Sequence, residues 1–126
     1  MTEIFYALQE KFKYHARKLT TINNKENGLT LFSENRVQAE ILLDGLVSAS
    51  NHRNGLEVNG SANVKITSSQ FVSNDNDGVS TTLNAGSSLE ISTSLIGANG
   101  NVGMCIFPSE GIRVKISHSN FTAHYY

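Results

Sequence analysis

The chain has 126 residues, of which 39% are hydrophobic and 17% charged, the make-up of one folded domain rather than a disordered segment. Lys and Arg number 10 against 11 Asp and Glu, a formal net charge of −1, so there is no electrostatic case for nucleic acid or an anionic membrane as a partner. A single cysteine, Cys105, excludes an internal disulfide, and no apolar run approaches the roughly 18 residues that span a bilayer.

The chain opens Met-Thr-Glu-Ile-Phe-Tyr, without the basic start and apolar stretch of a signal peptide, and its localisation is left open. Phe5, Leu8 and Phe12 fall at i, i+3 and i+7, with Ile4 extending the stripe. That spacing predicts a short helix ending near residue 11 as an N-terminal cap, with an amphipathic helix that docks a partner as the functional alternative. From Phe12 onward the pattern changes to period two, and 12–126 read as coils of the same single domain.

Taken in chain order, the rows repeat. Phe12, Tyr14 and Leu19 lead to the turn Asn27-Gly28 and the run Leu29-Thr30-Leu31. Ala39, Ile41 and Leu46 lead to Asn54-Gly55 and Leu56-Glu57-Val58. Val64, Ile66 and Phe71 lead to Asp77-Gly78 and Val79-Ser80-Thr81. Leu89, Ile91 and Ile96 lead to Gly103 and Met104-Cys105-Ile106, and Val114, Ile116 and Phe121 begin the last row. Ile41, Ile66, Ile91 and Ile116 are each 25 residues apart, whereas the glycines at 28, 55, 78 and 103 are 27, 23 and 25 apart. Lys13, Glu40, Lys65, Glu90 and Lys115 make an outward column of alternating sign, in which stacked neighbours attract. Asn24, Asn51, Asn76 and Asn101, spaced 27, 25 and 25, make an asparagine ladder at a turn.

Three short strands in about 25 residues cannot bury a core alone, but stacked copies can. The sequence therefore predicts an all-β, right-handed parallel β-helix (solenoid) of four to five coils. A β-sandwich also has short strands and regular turns, but gives no reason for residue identity to recur every 25 positions.

Rows such as NGLEVNGSANVKITSSQFVSND and DGVSTTLNAGSSLEISTSLIGANG resemble the right-handed parallel β-helix (pectin lyase-like) superfamily, over residues 12–126. That superfamily includes polysaccharide lyases, glycoside hydrolases, sugar epimerases, phage tailspikes and non-catalytic repeat modules, so the resemblance implies architecture before activity. Members that degrade polysaccharide usually have many more coils, which points this chain toward the non-catalytic group.

The loop before each glycine stacks on one edge. It carries Lys25 and Glu26, then His52 and Arg53, then Asp75 and Asp77, then Asn99 and Asn101. The resemblance to β-helix lyases implies that Asp75 and Asp77 would be the ligands of a calcium ion, with Arg53 the base that takes a sugar C5 proton and His52 an alternative base. The plain reading of the same loop is a solvated turn with a cross-coil ion pair, worth about 0–1 kcal/mol. Asp75-Asn76-Asp77-Gly78 lacks the later glutamate of a full calcium loop. His15, His52, His118 and His124 have no zinc spacing, and no G-x-S-x-G, dinucleotide or Walker loop occurs. Cys105, between inward Met104 and Ile106, is expected to face outward as an unreactive thiol, since no basic neighbour is evident. Asn59-Gly60-Ser61 and Asn120-Phe121-Thr122 match glycosylation acceptors and read as chance matches. The outward column His15, Leu42, Thr67, Ser92, Ser117 is too irregular for an ice-binding face.

The function expected from these readings is a non-catalytic structural or binding module with a polysaccharide or protein partner and no cofactor. No aromatic row is expected to project outward. The alternatives are an enzyme on acidic polysaccharide using Arg53, Asp75 and Asp77, and a piece of a larger β-helix or tailspike-like viral fibre. A homo-oligomer would form through the open coil ends.

Overall fold

A computed structural model of the protein describes residues 4–8, 13–33, 39–107 and 111–122, with the side chains of 4–8 not described. Among these residues every regular element is a strand, 15 in all. The first coil holds β1 (Ile4–Leu8), β2 (Lys13–Arg17) and β3 (Thr20–Ile22), and the second β4 (Leu29–Ser33), β5 (Ala39–Asp44) and β6 (Val47–Ala49). The third has β7 (Leu56–Gly60), β8 (Ala62–Thr67) and β9 (Gln70–Val72), and the fourth β10 (Val79–Leu83), β11 (Ser88–Ser92) and β12 (Leu95–Gly97). The last has β13 (Met104–Phe107), β14 (Arg113–Ser117) and β15 (Asn120–Thr122). Each strand pairs in parallel with its copies in the neighbouring coils, making three five-stranded sheets: sheet A from β1 to β13, sheet B from β2 to β14, and sheet C from β3 to β15. The chain is a parallel β-solenoid.

Period-two alternation puts one set of side chains inside the coil. Leu29, Leu31, Leu43, Leu56, Val58, Ile66, Phe71, Val79, Ile91 and Ile96 are wholly buried there. Two sharp bends per coil let the short strands close around this core, each made by one residue with φ near +50 to +70°. Lys18, Gly45, Ser68, Thr93 and His118 turn the chain from sheet B to sheet C, and Asn23, Ser50, Ser73 and Ala98 turn it from sheet C toward sheet A. Most are not glycine, and left-handed backbone costs such residues roughly 1–2 kcal/mol. Except at His118, in the last coil, a backbone hydrogen bond to the next coil holds each in place, as in Ser68 N–H to Ser92 O at 3.2 Å and Ser73 N–H to Gly97 O at 3.1 Å.

The N-terminal helix expected to residue 11 is corrected over residues 4–8, which form a strand in register with β4, Ile4 beside Leu29 and Leu8 beside Ser33. Ile4, Tyr6 and Leu8 alternate as well as they spiral. An edge strand offers a row of backbone donors and acceptors that an extended partner satisfies and a helix does not. Residues 1–3 and 9–12 of the expected cap lie outside the described residues.

The expected register is corrected at one step. Ile41 stands beside Val64, and Leu43 beside Ile66, so in sheets B and C the second and third coils are offset by 23 residues and not 25, whereas in sheet A, with Leu29 beside Leu56, they are offset by 27. Phe71 accordingly stacks on Ser48 instead of Leu46. The alternating charge column breaks there too. Glu40 lies beside Asn63, and Lys65 beside Leu42, while the runs Lys13–Glu40 and Lys65–Glu90–Lys115 hold. The shortening falls at the corner between sheets A and B, where Ser61 alone joins β7 to β8. Gly60 makes that corner with φ +110°, and a Cβ there would run into the carbonyl of Ser33.

Candidate functional site

The loops joining sheet C to sheet A stack into the edge where acids, bases and imidazole were expected to converge. Their inner side is a ladder of buried amides. Asn24 Nδ2 donates to Asn51 Oδ1 at 2.9 Å, Asn51 Nδ2 to Asn74 Oδ1 at 2.8 Å, and Asn74 Nδ2 to Asn99 Oδ1 at 3.0 Å. Each Oδ1 also accepts the backbone N–H of the asparagine one coil earlier, at 3.0–3.1 Å. One side chain per coil thus satisfies bent backbone that the sheets leave unpaired. The rungs are Asn24, Asn51, Asn74 and Asn99, which corrects the expected Asn76 and Asn101. At the N-terminal end, buried Asn24 Oδ1 finds no partner among the described residues.

The glycine column exists because of this ladder. A Cβ on Gly55 would lie 2.7 Å from Asn74 Nδ2, and one on Gly78 2.7 Å from Asn99 Nδ2. Both glycines are required by close approach, which makes their spacing the true record of the register.

A second, outer ladder runs through Asn27, Asn54 and Asp77. Asn27 Oδ1 accepts the N–H of Asn54 at 2.9 Å. Asn54 Oδ1 accepts the N–H of Asp77 at 3.0 Å and Nδ2 of Asn76 at 2.9 Å. Asp77 Oδ1 accepts Asn101 Nδ2 at 2.8 Å and the N–H of Val102 at 3.3 Å. Asp77 is 5% exposed and its Oδ1 fills an asparagine's place in the column. Asp75, by contrast, is 62% exposed at its side chain and lies 3.1 Å from His52 Nδ1. The two aspartates therefore part, one into the ladder and one into solvent.

Arg53 does not join them. Its Nη1 lies 3.2 Å from Glu26 Oε2, with both side chains more than half exposed. The edge thus holds two cross-coil pairs side by side, His52 with Asp75 and Arg53 with Glu26. Among the described residues no group of three or more His, Cys, Asp or Glu side chains could hold a metal ion. A third ladder went unread in the sequence. Ser69, Ser94 and Ser119 each accept the N–H of the preceding coil, from Leu46, Ser69 and Ser94, at 3.1–3.2 Å. Each hydroxyl donates to the carbonyl two residues earlier at 2.8–2.9 Å. The recurrence of serine at 69, 94 and 119 was the available signal.

Cys105 pairs in register with Ser80, between Met104 and Ile106, which pack against the core. Burial first, and the nearby Asp77 carboxylate second, push its thiol pKa up, so it is a poor nucleophile at neutral pH.

The outer face of sheet B differs from the loop edge. It bears a shallow depression of about 360 Å³ lined by Lys13, His15, Glu40, Leu42, Asn63, Lys65, Ser88 and Glu90. Along one column Ser88 donates to Asn63 Oδ1 at 2.9 Å and Asn63 Nδ2 to Glu40 Oε1 at 3.1 Å. Lys65 and Glu90 are adjacent in register, yet neither joins an ion pair within 4 Å among the described residues. The expectation that no aromatic row faces outward needs a qualification. Phe32 and Phe107 project from sheet A, 42% and 53% exposed, with Asn59 and Thr82 between them in the column.

Comparison with protein-family models, with curated proteins and with solved structures gave no match.

Proposed function

We propose that the protein is a non-catalytic β-solenoid binding module that presents the outer face of sheet B to a polar partner, a polysaccharide first among them. The observation that carries this reading is how the charges are used. At the loop edge His52, Asp75, Arg53 and Glu26 are spent on one another and Asp77 on the ladder. On sheet B, Lys65 and Glu90 keep a cationic donor and a carboxylate acceptor facing outward with no ion-pair partner among the described residues. A rigid sheet holds such groups at fixed spacing, so little conformational entropy is lost when a ligand binds. Row likeness to the pectin lyase-like β-helices supports this architecture for a carbohydrate surface. The test is a glycan array followed by titration calorimetry on any hit. Lys65→Ala and Glu90→Ala each weaken binding while His52→Ala leaves it unchanged. Loss with His52→Ala and not with the sheet B variants would defeat the proposal.

A second reading has one observation in its favour. The 3.1 Å contact of Asp75 with His52 Nδ1 fixes an imidazole tautomer with Nε2 free to act as a base, beside the guanidinium of Arg53. An enzyme on acidic polysaccharide would use that arrangement. Incubation with uronate polymers, monitored for unsaturated products by ultraviolet absorbance, separates the two readings; His52→Ala would abolish product formation.

A further inference from the structure

The bend from sheet B to sheet C carries a second cavity, a shallow groove of about 470 Å³ on the flank of the coil. Two columns of outward side chains border it. Ser68, Thr93 and His118 stand at the bend itself, each with φ near +50°. Gln70, Leu95 and Asn120 stand in register at the starts of β9, β12 and β15. Between the columns lie buried Ser69 and Ser94, whose hydroxyls are both committed to backbone groups, so the floor is fixed.

The groove differs from the rest of the outer surface in how its polar groups are used. On sheet B, Ser88, Asn63 and Glu40 bond in series, and Thr67 bonds Asp44. In the groove, Ser68, Gln70, Thr93, His118 and Asn120 make no side-chain hydrogen bond or ion pair with any described residue. No Lys, Arg, Asp or Glu lines it. Its middle is half-buried Leu95, with an amide side chain one strand step away on either side, about 4.8 Å along the coil axis.

These features select a ligand. A sugar ring has a face of C–H groups and a rim of hydroxyls that both donate and accept. A primary amide offers an acceptor oxygen and two donor hydrogens, which match a pair of neighbouring hydroxyls. A ring laid on Leu95 sets its rim against Gln70 on one side and Asn120 on the other. An ionic ligand would find no Lys, Arg, Asp or Glu to meet it, and a wholly apolar one would bury unpaired amides and hydroxyls at a cost. We propose that this groove is a binding site for a neutral sugar, with the ring on Leu95 and its hydroxyls held by Gln70 and Asn120. Stacking of coils runs along the axis, whereas the groove opens sideways, so it does not depend on what lies at either end. It shares no residue with the sheet B depression.

The probes are the neutral methyl glycosides of glucose, galactose and mannose, titrated into the whole protein and followed by saturation-transfer NMR. Saturable binding of at least one is expected, with the strongest transfer to ring C–H protons. Gln70→Ala and Asn120→Ala should each weaken it about fivefold, the loss of one hydrogen bond, and Leu95→Ala should weaken it at least as much. Both amides are exposed, so the variants should fold, which circular dichroism checks. Added salt and Lys65→Ala should leave binding unchanged, because the ligand is uncharged and sheet B is not involved. No saturable binding of any glycoside, or binding that the three groove variants leave intact, overturns the proposal. Loss with Lys65→Ala and not with Gln70→Ala would assign the sugar to sheet B and also overturn it.

Discussion

Replacing Asn74 by alanine, with Asn76→Ala as its control, separates the two registers the chain could adopt. Asn74 is 1% exposed, and its Oδ1 accepts both the N–H and the Nδ2 of Asn51, at 3.1 and 2.8 Å. Its own Nδ2 donates to Asn99 Oδ1 and to the carbonyl of Ser48. Truncation strands the backbone N–H of Asn51 in a buried site, removes one hydrogen bond each from Asn51 Nδ2 and the Ser48 carbonyl, and leaves a small void. The stranded group costs about 1–3 kcal/mol and the lost bonds and void add to it, so the loss should be about 3 kcal/mol. With a urea m-value of about 1.5–2 kcal/mol/M for a domain of this size, the midpoint should fall by roughly 1.5–2 M. Asn76 is half-buried and makes one side-chain hydrogen bond, to Asn54 Oδ1, which still accepts the N–H of Asp77 without it. Its removal should cost under about 1 kcal/mol. Urea titrations by circular dichroism at matched pH give both numbers. Equal losses, or a larger loss for Asn76→Ala, would refute the reasoning.

Three further outcomes follow from the same structure. Thr81 is wholly buried between Val58 and Ile106 in its column, and its Oγ1 has no hydrogen-bond partner among the described residues. Thr81→Val should therefore stabilise the fold by about 1–2 kcal/mol, read as a higher urea midpoint at unchanged slope. The pairs of His52 with Asp75 and of Arg53 with Glu26 are well exposed, so His52→Ala and Arg53→Ala should each change stability by less than about 1 kcal/mol in thermal melts. Asp77→Asn restores the amide found at Asn27 and Asn54, so the fold should persist. Removing that negative charge lowers the Cys105 pKa and raises its thiolate fraction, so iodoacetamide should alkylate the variant faster than the wild type at pH about 8.

The architecture was legible because core-facing residues recur with strand periodicity, and stacking is the arrangement that buries them. The register was only partly legible, for a physical reason. A slip of one residue turns every side chain to the other face, whereas a slip of two leaves the inward and outward pattern unchanged. Ile41 above Val64 is as good a core contact as Ile41 above Ile66, so the apolar columns could not tell 23 from 25. The glycines could, because Gly55 and Gly78 are fixed by the amides of Asn74 and Asn99, and their spacing of 23 was present in the sequence. At residues 4–8 the alternation of Ile4, Tyr6 and Leu8 competed with a helical stripe, and strand pairing with β4 decided it. The loop edge was correctly located, but the inward turn of Asp77 and the outward turn of Asp75 depend on which of them follows the ladder asparagine by three. That position was hidden while Asn76 stood in for Asn74.

The central claim is that the edge at residues 52–53 and 75–77 is occupied by structure: Asp77 serves the ladder and Asp75 pairs with His52. A crystal structure determined in the presence of calcium tests it most directly. The account predicts Asp77 Oδ1 on Asn101 and Val102, Asp75 on His52, and Asn51 bonded to Asn74. A calcium ion held jointly by Asp75 and Asp77, with Arg53 turned toward it, would contradict the account and return the edge to catalysis.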